Sequence, residues 1–223
     1  MRYYQFESSS KEKLSIGKLV CLAQTYKKHA DEMNSTPAKE PVLFLKPSSS
    51  VIFSGDSIVL PQMGHQFHHE VEVGVIIEKT VKHIKKEDAL DVIKGFAVCL
   101  DITARDIQSH AKKQGLPWAI SKGFDTFAPL STVIDFEQVK HPNALAFSLR
   151  VNDVLKQQGN TCDLLWSIEE IISYISQIMT LEPGDIILTG TPEGVGDIRH
   201  GDTLVADLAS FCSLTVNVKK HMS

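Results

Sequence analysis

The feature that most limits what this chain can fold into is the run from His68 to Ile77, HHEVEVGVII. Strict alternation sets Val71, Val73 and Val75 on one face of a β-strand, and His68, Glu70, Glu72 and Gly74 on the other. At a rise of ~3.3 Å per residue, Glu70 and Glu72 place two carboxylates about 7 Å apart on that second face. One reading is an exposed face on which water solvates both acids. The other is a bound hard cation, because converging carboxylates repel unless an ion such as Mg²⁺ neutralises them.

The rest of the chain supplies partners for such a strand. IGKLVCLA, VLFLKPSSS and DSIVLP read as further strands, and YKKHADEM as a short helix followed by the loop STPAKEP. KEDALDVIKG has helical spacing with Gly95 as its stop. The stretch from Gly95 to Gly115 reads as a strand that turns into a helix near Thr103. Leu145, Phe147, Leu149 and Val151 alternate before Asn152-Asp153, a hairpin signal. Ser167 and Glu170 form a capping box that opens the helix SIEEIISYISQIM, and LEPGD turns the chain into the strand IILTG. Two alternating strands close the sequence. Strands outnumber helices and come in hairpin order, with no fixed-period repeat and no linker. The expected fold class is α+β, mainly β, as one domain over residues 16–223 behind a polar lead-in at residues 1–15.

Composition excludes several function classes. The 223 residues carry a net charge of −4 with no Lys/Arg block, which leaves no electrostatic footprint for nucleic acid or an anionic membrane surface. No apolar run approaches the ~18–20 residues of a membrane span. The polar N-terminus lacks a signal-peptide core, so a cytoplasmic location is expected. Cys21, Cys99, Cys162 and Cys212 stand singly, as buried thiols rather than a zinc knuckle or disulfide framework.

Asp101, within AVCLDI, joins the two glutamates as a third conspicuous acid. A buried unpaired carboxylate costs several kcal/mol. Asp101 either caps the following helix or shares a cation with Glu70 and Glu72, and three carboxylates plus water suit Mg²⁺ or Mn²⁺. A zinc alternative through His65, His68 and His69 lacks the helical HExxH spacing, and a strand points His68 and His69 in opposite directions. TGTPEGVG, residues 189–196, has no GK[ST] and is no Walker A loop. It is a plain turn, or a tight loop whose N–H groups hold a small carboxylate. Lys122, in SKGFDTFAPL, is a surface lysine or a cation facing an anionic substrate.

Taken in order, YKKHADEM, PVLFLKPSSS, HHEVEVGVII, LDITARDIQ, SKGFDTFAPL, NDVLKQQGNT and LEPGDIILTGTPEGVG resemble the fumarylacetoacetate hydrolase family in its short, acylpyruvase-like branch. The resemblance covers residues 16–218. It implies a roll of mixed β-sheets with a few short helices, a homodimer, and bound Mg²⁺ or Mn²⁺ on Glu70, Glu72 and Asp101. It also implies a lid dyad at His29 and Glu32, whose spacing of three puts both on one helical face. Lys46, Gln108, Lys122 and Thr191 match positions that line the site or hold the substrate. One departure stands out: the family's lid usually starts Gly-Arg-Asn-Tyr, and this chain has Ala23-Gln24-Thr25-Tyr26. A bidentate carboxylate donor is lost with the Arg.

The expected activity is metal-dependent hydrolysis of the C–C bond of a small acylpyruvate, giving pyruvate and a carboxylic acid. In that reaction His29, oriented by Glu32, activates water, and Lys122 offsets developing negative charge. The same site chemistry serves oxaloacetate decarboxylation or tautomerisation and 2-hydroxyhepta-2,4-diene-1,7-dioate-type isomerisation. A non-catalytic metal-binding module is the alternative outside enzymology.

Overall fold

The computed structural model describes residues 2–7, 13–32 and 39–221; Met33 and part of the STPAKEP loop lie outside them. In chain order the strands begin with β1 (Leu19–Ala23), β2 (Val42–Lys46), β3 (Val51–Phe53), β4 (Ser57–Leu60), β5 (Phe67–His69) and β6 (Val71–Ile77). They continue with β7 (Ile93–Leu100), β8 (Thr103–Ala104), β9 (Ala128–Leu130), β10 (Ile134–Asp135), β11 (Ala146–Val151) and β12 (Val154–Asn160). The last are β13 (Ile186–Leu188), β14 (Gly196–Asp197), β15 (Thr203–Leu208) and β16 (Cys212–Lys220). The α-helices are α1 (Lys27–Glu32), α2 (Arg105–Gln114), α3 (Ala119–Lys122) and α4 (Ile168–Ile178). None is long and apolar enough to cross a membrane.

Among the described residues these strands form three sheets. The large mixed one runs β2-β1-β13-β6-β7-β9-β3, with β10 also on β7. A second runs β12-β11-β15-β16-β4, and a small one β14-β5-β8. This is the mainly-β, α+β architecture that the strand order implies.

Both faces of the large sheet are covered. Val71, Val73, Val75 and Ile77 of β6 pack with Phe96, Val98 and Leu100 of β7 against the second sheet and the Ile168, Ile171, Ile172 and Ile175 face of α4. Ile76, Ala97 and Cys99 face a second cluster with Ile186, Leu188 and Tyr4. The lead-in takes part in it: buried Tyr4 donates its hydroxyl to the Gly184 carbonyl at 2.8 Å. With no solvated face available, the exposed-strand reading of Glu70 and Glu72 fails; they are 5% and 1% exposed.

Local signals act as their chemistry dictates. Asn152 and Asp153 both take left-handed φ, 50° and 65°, in the two-residue turn between β11 and β12. Ser167 Oγ accepts from the Glu170 N–H at 3.3 Å while the Glu170 carboxylate accepts from the Ser167 N–H at 2.8 Å, closing the capping box. Gly115, at φ 65°, ends α2 in the left-handed region. Two expectations are corrected. Residues 86–92 form a 3₁₀ turn, and Gly95 lies inside β7 rather than stopping a helix, because a Cβ there would collide with the Ile134 carbonyl of adjacent β10. Cys162 is exposed, unlike the other three cysteines.

Candidate active site and metal centre

The register of β6 on β7 makes the acid cluster. Val71 pairs with Leu100 and Glu72 with Cys99, so Asp101, one residue past Leu100, falls opposite Glu70 and donates its N–H to the Glu70 carbonyl at 2.8 Å. Alternation then turns the Glu70, Glu72 and Asp101 side chains to one side. One carboxylate oxygen from each lies within 4.8 Å of the others, and all three residues are buried.

Cations that the sequence places far away close around two of these acids. Lys46 Nζ, at the end of β2, donates to Asp101 at 2.6 Å and to the Ile102 carbonyl at 3.1 Å. Lys122 Nζ, at the end of α3, donates to Glu70 at 2.9 Å and also to Asp101. Arg105, at the start of α2, donates to Glu70 and, at 2.6 Å, to Gln108. Lys122 is 2% exposed, which rules out the surface-lysine reading.

The consequences differ from acid to acid. Burial opposes ionisation of Glu70, but Lys122 and Arg105 outweigh it and hold its carboxyl well below the usual carboxylate range. Burial likewise opposes the charge on Lys122, and Asp101 and Glu70 overcome it, raising its pKa. Glu72 goes the other way: burial, then Asp101 and Glu70, push its carboxyl well above the usual range. Among the described residues its carboxylate accepts one hydrogen bond, from the Gly190 N–H at 2.7 Å. Gly190 sits at φ 97° with Thr25 Oγ1 where a Cβ would be, so the TGTP loop presents that N–H only with glycine there. The loop thus holds a carboxylate of the chain itself. An all-carboxylate, buried donor set whose third member lacks a cationic partner among the described residues fits a hard divalent ion such as Mg²⁺ or Mn²⁺.

The zinc alternative does not assemble. His65 pairs with Asp106 at 2.8 Å, His68 with Asp197 at 3.0 Å, and His69 meets Gln157 at 2.9 Å. The three rings face three different partners.

The lid closes the pocket from the other side. His29 Nδ1 lies 3.4 Å from Glu32 Oε2, and the Glu32 carboxylate accepts from the Gly194 N–H at 3.1 and 3.2 Å. Thr25, in place of the family's Asn, is buried and donates to the Thr189 carbonyl at 2.7 Å. Gln24, in place of the Arg, takes φ 60° and lines the pocket.

Of the residues singled out in the sequence, His29, Glu70, Glu72, Gln108, Lys122 and Thr191 line one cleft. Lys46 and Asp101 stand behind it, and Glu32 supports His29 from the lid. Thr191 hydroxyl donates to the Val71 carbonyl at 2.9 Å and accepts from Gln157 at 2.8 Å. Sequence reasoning missed Arg105 and Gln157. Arg105 carried a signal, three residues before Gln108 on one helical face. Gln157 carried none: it bridges His69, the Val71 N–H and Thr191 from a hairpin 86 residues downstream of Val71.

Comparison with known proteins gives this geometry a context. Residues 18–219 match the fumarylacetoacetate (FAA) hydrolase C-terminal family model. The chain is 44% identical over 202 residues, 91% of each chain, to the mouse mitochondrial oxaloacetate tautomerase FAHD1. A fumarylpyruvate hydrolase from Pseudomonas aeruginosa, solved with Mn²⁺ and pyruvate, superposes with a TM-score of 0.92 at 33% identity, covering 99% of this chain and 96% of that one. A 2-hydroxyhepta-2,4-diene-1,7-dioate isomerase from Mycobacterium marinum superposes at 0.83 with 34% identity, covering 94% and 77%. With near-complete coverage in sequence and in fold, the chain belongs to the fumarylacetoacetate hydrolase family of enzymes.

Proposed function

We propose that this enzyme interconverts the keto and enol forms of oxaloacetate or a closely similar small 2-oxo acid, with Mg²⁺ or Mn²⁺ held by Glu70, Glu72 and Asp101. The observation that carries the reading is the convergence of the acid triad, Lys122, Arg105 and the His29–Glu32 pair on one cleft. The identity to oxaloacetate tautomerases supports it.

The bound ion would supply Lewis-acid stabilisation of the oxygen on which negative charge develops. The chain supplies the rest. With Nδ1 of His29 held by Glu32, Nε2 is the nitrogen left to take a proton from C3 of the substrate and to return it. As the C3–H bond breaks, a C2–C3 double bond forms and the proton ends on the C2 oxygen. Lys122 and Arg105, both buried, offset the negative charge of that passage.

A second reading, hydrolysis of the C3–C4 bond of an acylpyruvate, is favoured by the likeness to fumarylpyruvate hydrolase and by the same His29–Glu32 pair, which also suits activation of water. There, water adds to the C4 carbonyl and the bond to C3 breaks, releasing pyruvate and an acid. One assay separates the two: pure protein with Mg²⁺, given oxaloacetate or acetylpyruvate, followed by enol absorbance and by pyruvate release. Rapid enol interconversion with slow acetylpyruvate cleavage is expected. Efficient cleavage with no effect on enol interconversion would transfer the assignment to the hydrolase.

A further inference from the structure

Helix α2 presents Arg105, Gln108 and Lys112 at i, i+3 and i+7, a single helical stripe, and all three line the cleft. Arg105 donates to Gln108 and to Glu70 of the acid cluster. Lys112 does neither. It is exposed, and its ammonium lies 4.9 Å from the centroid of the Trp118 ring, with no carboxylate partner among the described residues. Partial desolvation and then Arg105 lower its pKa, against a smaller opposing pull from Glu70.

A ladder of rings fixes where Lys112 stands relative to the chemistry. Lys122 Nζ lies 4.8 Å from the Phe44 centroid, Phe44 is 5.7 Å from Trp118, and Lys112 lies over the Trp118 ring. One wall of the cleft therefore carries a lysine at each end: Lys122 among the carboxylates and Lys112 at the mouth. Gln24, without charge, faces the same opening. Every inner cation is already matched to Glu70 or Asp101. The outer one is left over.

We infer that Lys112, stacked on Trp118, is a specificity-determining residue that binds the distal carboxylate of a dicarboxylic 2-oxo acid whose 2-oxo-carboxylate end lies at the acid cluster. The inference rests on the proposed 2-oxo acid function and narrows it to dianionic substrates. A charge-assisted hydrogen bond at a partly desolvated site separates a carboxylate tail from a methyl tail by about tenfold or more in affinity.

The test uses matched ligands so that recognition and catalysis are read separately. Calorimetry on the Mg²⁺-loaded enzyme compares 2-oxoglutarate with 2-oxopentanoate, equal in length and differing in a terminal carboxylate against a methyl group. The wild type is expected to prefer 2-oxoglutarate at least tenfold. K112M, which keeps the apolar stem over Trp118, should bring the two within about threefold, and K112R should restore the preference. In parallel, the kcat/KM ratio of oxaloacetate to acetylpyruvate should fall at least tenfold in K112M, mainly through KM, with recovery in K112R. Undiminished ligand preference in K112M, or no preference in the wild type, would overturn the assignment of Lys112. A wild type that prefers the dicarboxylate but leaves oxaloacetate unchanged would instead overturn the tautomerase reading and leave the subsite standing. Circular dichroism of both variants checks that the fold is intact.

Discussion

At one end of the cleft, Glu72 stands on β6, and Glu70 and Asp101 adjoin the paired ends of β6 and β7, central strands of the large sheet buried on both faces. At the other, His29 and Glu32 stand on a helix of six residues. A helix that short has no stability of its own, so its position depends on a few clips: Thr25 to the Thr189 carbonyl, the Leu165 N–H to the Thr25 carbonyl at 2.8 Å, and Gly194 to Glu32. The acid end is fixed by the fold, and the lid end by a few local hydrogen bonds, one of them from Thr25, where the usual family pattern has Asn. Ion binding and proton transfer therefore sit on parts of the molecule with very different tolerance to change.

Substitutions should expose that contrast, and the largest effect belongs to the acid end. In Glu72→Gln the triad loses the acid that lacks a cationic partner, and turnover is expected to fall to near background. Mg²⁺ at 100 times its Kd should stabilise the wild type by about 2.7 kcal/mol. In Glu72→Gln the same Mg²⁺ should leave the melting curve almost unmoved. A wild-type calorimetric titration of the variant would place the ion elsewhere.

At the lid, Glu32→Gln should be milder. It weakens both the orientation of His29 and the Gly194 clip, and turnover should drop by about tenfold to hundredfold, short of the ~10²–10⁴ that loss of a base itself costs. Mg²⁺ affinity should not change. A joint loss of turnover and Mg²⁺ binding would show that the two ends are coupled.

The smallest effect lies outside both. Ser167→Ala removes the α4 capping box and should cost about 1 kcal/mol in urea unfolding, with kcat/KM as in the wild type. A change in kcat/KM would mean that α4 packing reaches the cleft.

The acid end was legible in the sequence because its oddity is local. Glu70 and Glu72 interrupt an apolar strand at a spacing of two, and Asp101 interrupts another. Which reading of those acids is right was not legible, since that depends on what covers the second face of β6, and residues such as Ile186 and Tyr4 lie far away in the chain. The same distance hid the cations: Lys46 and Lys122 reach Asp101 across 55 and 21 residues. Gly95 misled for a related reason, its cause being a carbonyl on a strand that begins 39 positions later. The hairpin at Asn152-Asp153 and the capping box at Ser167 were readable because each closes within a few residues. The stripe of Arg105, Gln108 and Lys112 was also open to reading, but helical spacing alone does not say what a face looks upon.

The central claim is that the lid moves the proton while the acid end holds the ion. Proton exchange at C3 of oxaloacetate in D₂O, followed by NMR on wild type and His29→Ala with saturating Mg²⁺, tests it most directly. The wild type should exchange C3 protons far faster than buffer with Mg²⁺ alone. His29→Ala should lose ~10²–10⁴-fold of that rate while binding Mg²⁺ as the wild type does. Exchange at the wild-type rate in His29→Ala, with Mg²⁺ binding intact, would contradict the account.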